Sequence, residues 1–193
     1  MAREFTGKVL PSEVDHVLVM VNGKRAFPAY VSPTQLNVQL PDETTAGPIH
    51  VQVIRDGTAS ASFSAALAAN ASGLFSYVSG NVRIAAATHA DGSLVGTTSG
   101  STPAQPGEHI ALYATGLEAS PAGTLFDAPI AITPLPRVSV GITDAAVQYT
   151  GVISPGVFQI NVRVPQGARG TQTIRVLYGR EASPADTILP ITP

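Results

Sequence analysis

A block of strand-like sequence in the first third of this chain recurs in its last third. Each copy consists of a short apolar strand, a Ser-Pro pair, and an alternating strand that ends in proline. The blocks are Val17–Val21, Ser32–Pro33 and Gln35–Pro41 in the first copy, and Val138–Ile142, Ser154–Pro155 and Gln159–Pro165 in the second. Because the spacing between the blocks changes little and the extra residues fall at Gly or Pro, the pattern indicates a duplicated β unit.

The alternating strand assigns the same faces in both copies. The residues predicted to point into a core are Leu36, Val38 and Leu40, with Ile160, Val162 and Val164 as their counterparts. The residues predicted to face water are Gln35, Asn37 and Gln39, with Gln159, Asn161 and Arg163 as their counterparts. A slip of one residue would send every apolar side chain into solvent, so the pattern favours half-buried antiparallel sheets.

Turn residues support an all-β fold. The chain has 18 Gly and 16 Pro, which interrupt it too often for long helices. The pairs Asn22-Gly23 and Asp56-Gly57 suit the positive φ angles of type I′ hairpin turns. We therefore predict two tandem immunoglobulin-like β-sandwich domains.

Three segments follow from this interpretation. We predict a first domain over residues 1–70, a connector with a short hairpin over 71–105, and a second domain over 106–193. Residues 97–106 have the small, polar, Pro-containing composition of a linker, and Asp91-Gly92 is expected to form a turn.

The first domain has no counterpart of the strand that opens the second domain after Pro106. There are two explanations for the missing strand. Either the chain is a piece of a longer protein, or its first strand is supplied by the connector or by a second molecule. An unpaired sheet edge invites strand addition, so a homodimer through this edge is one predicted arrangement.

Composition excludes several classes of partner and chemistry. Charged residues make up 12% of the chain and the net charge is −2, so no basic surface is expected to bind nucleic acid or an anionic membrane. The chain has no Cys, which excludes disulfides and thiolate chemistry. Residues 1–11 lack the apolar core of a signal peptide, and no apolar run approaches the length of a membrane span.

Candidates for chemistry are few. The four histidines, His16, His50, His89 and His109, never fall at metal-ligand spacing, so we predict neither a metal site nor a cofactor. The weak catalytic candidates are His89 with Asp91, which could orient an imidazole, and the carboxylates Glu108 and Asp127, which a glycosidase would need as a pair. All of these positions also suit ordinary turns and strand ends.

Carbohydrate binding is the most natural function of an exported β sandwich, since sugar rings stack on exposed aromatic faces. The chain has no Trp, and most of its Phe and Tyr residues lie where core packing explains them. We predict loop positions for Tyr77 and Phe126 and select these two as candidate ligand-binding aromatics.

The order and spacing of several short blocks make the chain similar to the Solibacter uncharacterised C-terminal domain family. The blocks are Val21–Gly23, Tyr30–Pro41, Gly73–Phe75, Ala90–Leu94, Pro106–Glu108, Leu112–Leu117 and Gln159–Pro165. The resemblance covers nearly the whole chain. It implies a place at the C-terminal end of large exported acidobacterial proteins and halves that resemble immunoglobulin-like domains of the IPT/TIG kind. It implies no catalytic residues.

From these observations we predict a noncatalytic extracellular module for adhesion, spacing or attachment to a surface polysaccharide. Its expected partners are other domains of a larger exported protein or a surface polysaccharide, and its expected location is secreted or at the cell surface. The alternative is a hydrolase that acts on polysaccharide or ester, with a site between the two domains.

Overall fold

The computed structural model describes residues 8–42 and 45–193 of the chain. These residues form strands, turns and bends, and none of them lies in an α-helix. The predicted all-β sandwich class is therefore confirmed. Within the described residues there is no helix long and apolar enough to cross a membrane.

The chain divides into two compact units. Unit 1 contains the described residues up to Ala69, together with Ser120–Ala128 and Ser154–Gly156. Unit 2 contains Asn70–Ala119, Pro129–Ile153 and Val157–Pro193.

Unit 1 contains two antiparallel sheets. Its strands are β1 (Glu13–Val14), β2 (Val17–Val21), β3 (Lys24–Arg25), β4 (Phe27–Val31), β5 (Leu36–Gln39), β6 (Gly47–Arg55), β7 (Thr58–Ala59) and β8 (Phe63–Leu67). The larger sheet places β6 between β2 and β8, and β1 pairs with the other side of β2. The smaller sheet is the hairpin of β4 and β5. Val19, Val21, Ala26 and Ile49 form the buried core of this unit.

Unit 2 is a more extensive, curled arrangement of strands. Its strands are β9 (Gly73–Leu74), β10 (Ser76–Ser79), β11 (Val82–Ala85), β12 (Ala87–Thr88), β13 (Leu94–Val95), β14 (Ser101–Thr102), β15 (His109–Thr115), β16 (Ile130–Ala131), β17 (Arg137–Val140), β18 (Thr143–Ser154), β19 (Val157–Arg163), β20 (Gly170–Tyr178), β21 (Glu181–Ala182) and β22 (Thr187–Ile191). One run of paired strands follows the order β10-β11-β22-β20-β17, and it continues through β18 to β19, β15 and β12.

Strand pairing reproduces the duplication seen in the sequence. In unit 1, β6 pairs with β2 on one side and with β8 on the other. In unit 2, β20 pairs in the same way with β17 and with β22. The hairpin β4–β5 corresponds to the hairpin β18–β19. Both copies of the sequence block therefore form the same arrangement of strands.

The predicted faces of the alternating strands are confirmed. Ile160 and Val162 on β19 are completely buried, with 0% of their surface exposed. Leu36 and Val38 on β5 pack against the core of unit 1 but are only partly buried. The apolar side chains of the repeated strand thus point toward the core in both copies, but they are more deeply buried in unit 2 than in unit 1.

The predicted turns are also confirmed. Asn22 and Gly23 have φ angles of 49° and 77°, and Asp56 and Gly57 have 48° and 77°. Positive φ at both central residues is the signature of a type I′ turn, which matches the twist of the strands it joins.

The structure differs from the prediction over residues 71–105, which were expected to form a connector. The expected hairpin is present as β10 and β11, but the segment belongs to unit 2. Its β11 pairs with β22 and its β12 pairs with β15. Linker-like composition was misleading here because these short strands find their hydrogen-bonding partners far away in the sequence, where a local pattern cannot show them.

A second difference concerns residues 120–128, which were expected to belong to the second domain. They are part of unit 1, where they lie beside the segment at Leu10 and the end of β5. The backbone N–H of Leu10 donates to the carbonyl of Gly123 at 2.9 Å, and the Gln39 side chain donates to the Ser120 hydroxyl at 2.8 Å. These bonds follow from spatial neighbours that the sequence pattern does not reveal.

The unequal burial of the repeated strands predicts unequal effects of matched substitutions. Ile160→Ala removes a fully buried side chain and should lower the free energy of unfolding of unit 2 by about 2–5 kcal/mol. Leu36→Ala removes a partly buried one and should cost unit 1 about 1–2 kcal/mol. Native-state hydrogen exchange of core amides measures each unit separately. Equal losses in the two units would contradict this account.

Candidate functional site

A groove lies on the outer face of the strands β12, β15, β18 and β19 in unit 2, and its volume is about 330 Å³. We call it the polar groove. Its polar lining residues are Thr88, His89, His109, Tyr113, Gln148, Gln159 and Asn161. A volume of this size falls within the range of about 300–1,000 Å³ found for ligand sites in proteins.

Strand alternation places these side chains on one face. On β15 the buried residues Ile110 and Leu112 point into unit 2, so Tyr113 lies on the opposite, outer face. The antiparallel register sets Tyr113 opposite Gln159, and Ala111 opposite Asn161. Cross-strand neighbours on one face lie close enough to interact, so the sheet itself assembles the groove.

Hydrogen bonds between side chains hold this surface in place. Gln159 Nε2 donates to Asn161 Oδ1 at 2.8 Å. His109 Nδ1 lies 2.8 Å from Gln148 Oε1, and Thr88 Oγ1 lies 3.2 Å from the Tyr113 hydroxyl. A carboxamide carries both a donor and an acceptor, so one such bond leaves the other group available for a ligand.

No Lys, Arg, Asp or Glu side chain is among the described residues that line the groove. Amides, hydroxyls, imidazoles and one tyrosine ring supply its chemistry. Such a surface suits a neutral ligand that is rich in hydrogen-bonding groups, because His89 and the nearby acid Glu108 are already paired with each other.

His89 and Glu108 form a close pair at one end of the groove. His89 Nδ1 lies 2.5 Å from Glu108 Oε1, and the two side chains are 13% and 21% exposed. His89 Nε2 lies 3.1 Å from the carbonyl oxygen of Thr102, and the second oxygen of Glu108 accepts from the backbone N–H of Gln105 at 2.7 Å. The pair therefore fastens the turn after β12 to β14 and to the start of β15.

The surroundings of His89 favour its charged form. Burial opposes the charge, but the hydrogen bond to Glu108, the carbonyl of Thr102, and the negative charges of Glu108 and Asp91 together raise the pKa of His89. An imidazolium donates from both ring nitrogens, which matches an acceptor on either side of the ring.

The same geometry bears on the catalytic candidates. His89 Nε2 also lies 3.1 Å from the Thr102 hydroxyl, so an acid, an imidazole and a hydroxyl do come together. Both ring nitrogens of His89 already have partners, Nδ1 with Glu108 and Nε2 with the carbonyl and hydroxyl oxygens of Thr102. The role that this geometry supports best is a structural clamp that holds the turn after β12 against the neighbouring strands.

The remaining candidates lie apart from this pair or have partners of their own. The Asp91 carboxylate accepts two hydrogen bonds from Ser93, one from the Ser93 backbone N–H at 2.9 Å and one from the Ser93 hydroxyl at 2.6 Å, as expected of a turn residue. Asp127 lies in unit 1 and forms an exposed ion pair with Lys8.

Of the two selected aromatics, one is placed differently from the expectation. Tyr77 lies on strand β10 of unit 2, not in a loop, and its hydroxyl donates to the carbonyl of Val95 at 3.3 Å. Phe126 does lie in a loop, in unit 1, and is partly buried. Neither residue lines the polar groove.

Sequence reasoning missed the residues that line the groove. The sequence pattern predicts that Gln159 and Asn161 face water but does not mark them as ligand-binding residues, and Tyr113 is among the aromatics that core packing explains. The available signal was the Gln-x-Asn spacing in both copies, which places two carboxamides side by side on one face of a strand. The pattern does not show which strand lies beside them.

Metal binding has no support in the described part of the chain. No group of three or more His, Cys, Asp or Glu residues is arranged there to hold a metal ion. The histidines of the groove instead pair with Gln148 and Glu108.

Comparison with known proteins gives limited information. No protein-family model matches the chain, and no curated protein matches it. Among solved structures, the chain is similar to SGBP-B of the Bacteroides ovatus mixed-linkage glucan utilization locus, in complex with a mixed-linkage heptasaccharide, at 14% identity and a TM-score of 0.44. The match covers 92% of this chain and 38% of that one. A likeness at this level assigns neither a family nor a function.

The His89–Glu108 pair predicts a pH dependence of stability. Because the pKa of His89 is raised in the folded chain, its contribution is complete below the unfolded pKa of about 6.5 and is lost as the pH rises through the folded value. Glu108→Gln should lower the pKa of His89 and flatten the change in melting temperature over this window. An NMR titration of the His89 ring and melting curves against pH measure both effects.

Asp144→Asn provides the matched control, because Asp144 forms an exposed ion pair with Arg137 in the same unit. It should leave the titration of His89 unchanged. If the pKa of His89 is the same in Glu108→Gln as in the unsubstituted chain, Glu108 does not raise the pKa of His89.

Proposed function

We propose that this chain is a noncatalytic module that binds a neutral polysaccharide through the polar groove of unit 2. The observation that carries the proposal is the lining of the groove, which combines amide, hydroxyl and imidazole groups with a tyrosine ring and contains no Lys, Arg, Asp or Glu among the described residues. A sugar ring offers the complementary surface, with hydroxyl groups at its edge and C–H groups on its faces.

The sheet supports this function by holding the binding groups in fixed positions. Gln159 and Asn161 are fixed by their mutual hydrogen bond, and both lie on a strand whose other face is fully buried. A side chain that is already ordered loses less conformational entropy when a ligand binds. The partly exposed Tyr113 adds an aromatic surface between these amides and Thr88.

Noncatalytic binding fits this site better than hydrolysis. Glycoside hydrolysis uses two carboxylates, and none lines the groove within the described residues. Glu108 at its end is paired with His89 and with a backbone N–H. We therefore assign the His89–Glu108 pair to positioning the turn that closes one end of the groove.

We further propose that the module works outside the cell, in an exported protein, with a surface polysaccharide as its partner. The support for this part is the resemblance of the sequence blocks to the Solibacter C-terminal domain family. The low charge of the chain also fits a partner that is neither nucleic acid nor an anionic membrane.

Affinity electrophoresis of the purified chain tests the proposal. Gels would contain neutral polysaccharides (mixed-linkage glucan, xylan, galactomannan or starch) or the acidic polygalacturonate. We expect at least one neutral polysaccharide to retard the chain. Asn161→Ala should weaken that binding about tenfold, since a hydrogen bond lost to the ligand is worth about 1.4 kcal/mol.

The internal repeat supplies a matched control. Gln35, just before β5, and Asn37 on β5 form the same side-chain hydrogen bond at 2.6 Å in unit 1, away from the groove. Asn37→Ala should therefore leave the retardation unchanged. Retardation by none of the neutral polysaccharides, or equal weakening by the two substitutions, would refute the proposal. Release of reducing sugar by the chain would show that it is a hydrolase.

A further inference from the structure

The register of the strands gives the polar groove a direction. Thr88 on β12 lies opposite Ala111 on β15, and Ala111 lies opposite Asn161 on β19. All three residues line the groove. Residues that are paired in an antiparallel sheet lie across the strands from one another. These three therefore form a row that runs across the strands and not along them.

The middle of this row is low. Side chains two residues apart on a strand stand side by side on the same face of the sheet. On β15 the methyl group of Ala111 therefore lies between the larger side chains of His109 and Tyr113, and all three line the groove. A small residue between two large ones leaves a channel that crosses β15.

Pairs of side chains continue both walls of this channel onto the neighbouring strand. On one side, Tyr113 lies opposite Gln159 of β19. On the other side, His109 Nδ1 lies 2.8 Å from Gln148 Oε1 of β18. Because β19 lies between β15 and β18, this second contact spans β19. Both walls thus run in the same direction as the row between them.

The strand spacing determines the repeat that the channel offers to a ligand. Neighbouring strands lie about 4.8 Å apart, so the three intervals from β12 to β18 span about 14 Å. One interval is close to the length of a pyranose residue in an extended polysaccharide chain. Such a chain, laid across the strands, meets the polar groups of a new strand at nearly every sugar residue.

We propose that the polar groove binds an extended glycan chain that lies across the strands, with about one sugar residue over each strand. This inference rests on the proposed polysaccharide binding and names the class of polysaccharide. The class contains backbones of β-1,4-linked glucose, mannose or xylose, because these linkages keep the chain extended. The α-1,4-linked glucose chain of starch coils, so it curves out of a channel with two parallel walls.

Isothermal titration calorimetry of the full chain with short oligosaccharides tests the inference. The probes are the β-1,4-linked oligomers of glucose, mannose and xylose and the α-1,4-linked oligomers of glucose, each from the disaccharide to the hexasaccharide. We expect at least one β-linked series to bind, with an affinity that rises up to about four residues, one for each strand, and then levels off. The α-linked oligomers should bind at least tenfold more weakly at equal length.

Filling the channel provides a matched pair of variants. Ala111→Leu places a larger side chain between His109 and Tyr113 and should weaken binding of the tetrasaccharide at least tenfold. Ala66→Leu makes the same change at an exposed position of β8 in unit 1 and should leave binding unchanged. Melting curves show whether each variant is folded. The oligosaccharide series uses the unsubstituted chain, so it decides the question even if Ala111→Leu is unstable.

Three results would overturn the inference and leave the proposed function standing. They are α-linked oligomers that bind as tightly as the β-linked ones, a disaccharide that binds as tightly as the tetrasaccharide, and a folded Ala111→Leu variant that binds like the unsubstituted chain. A chain that is retarded by a neutral polysaccharide but binds no β-linked oligomer would overturn it too. If no neutral polysaccharide retards the chain, the proposed function fails and this inference fails with it.

Discussion

The structure depends on covering the apolar face of one repeated strand. An alternating strand buries its inner side chains only if a sheet lies opposite and a neighbouring strand lies alongside. In unit 2, β19 has β18 on one edge and β15 on the other, and Ile160 and Val162 are fully buried. The same strand pattern in unit 1 has one described neighbour and remains partly exposed.

The presence of β15 also determines what the outer face can do. Both copies place a hydrogen-bonded Gln and Asn on that face, at 2.6 Å between Gln35 and Asn37 and at 2.8 Å between Gln159 and Asn161. In unit 2 the neighbouring strand β15 sets Tyr113 opposite Gln159, whereas in unit 1 the described neighbour is β4, which sets Tyr30 opposite Asn37. Strand β15 thus completes the core of unit 2 with its inner face and the polar groove with its outer face. The two copies of the repeat therefore differ in their outer surfaces.

Local patterns in the sequence predict the features that local physics determines. Alternation with period two gives the faces of β5 and β19, and Asn22-Gly23 gives a hairpin turn, because each depends on neighbouring residues. The assignment of residues 71–105 to unit 2 depends on pairings such as Ala87 with Leu112, which join distant parts of the chain. The groove has the same origin, since its residues come from four strands and the turn after β12, and the sequence does not show the order of these strands in the sheet.

Binding of sugar at the polar groove of unit 2 can be followed at the side-chain amide signals in a ¹H–¹⁵N NMR titration. The titrant is an oligosaccharide fragment of whichever neutral polysaccharide retards the chain. We expect saturable shifts of the Gln148, Gln159 and Asn161 amide signals, with those of Gln35 and Asn37 unmoved. Shifts confined to unit 1, or no shifts at saturating ligand, would show that the groove does not bind sugar.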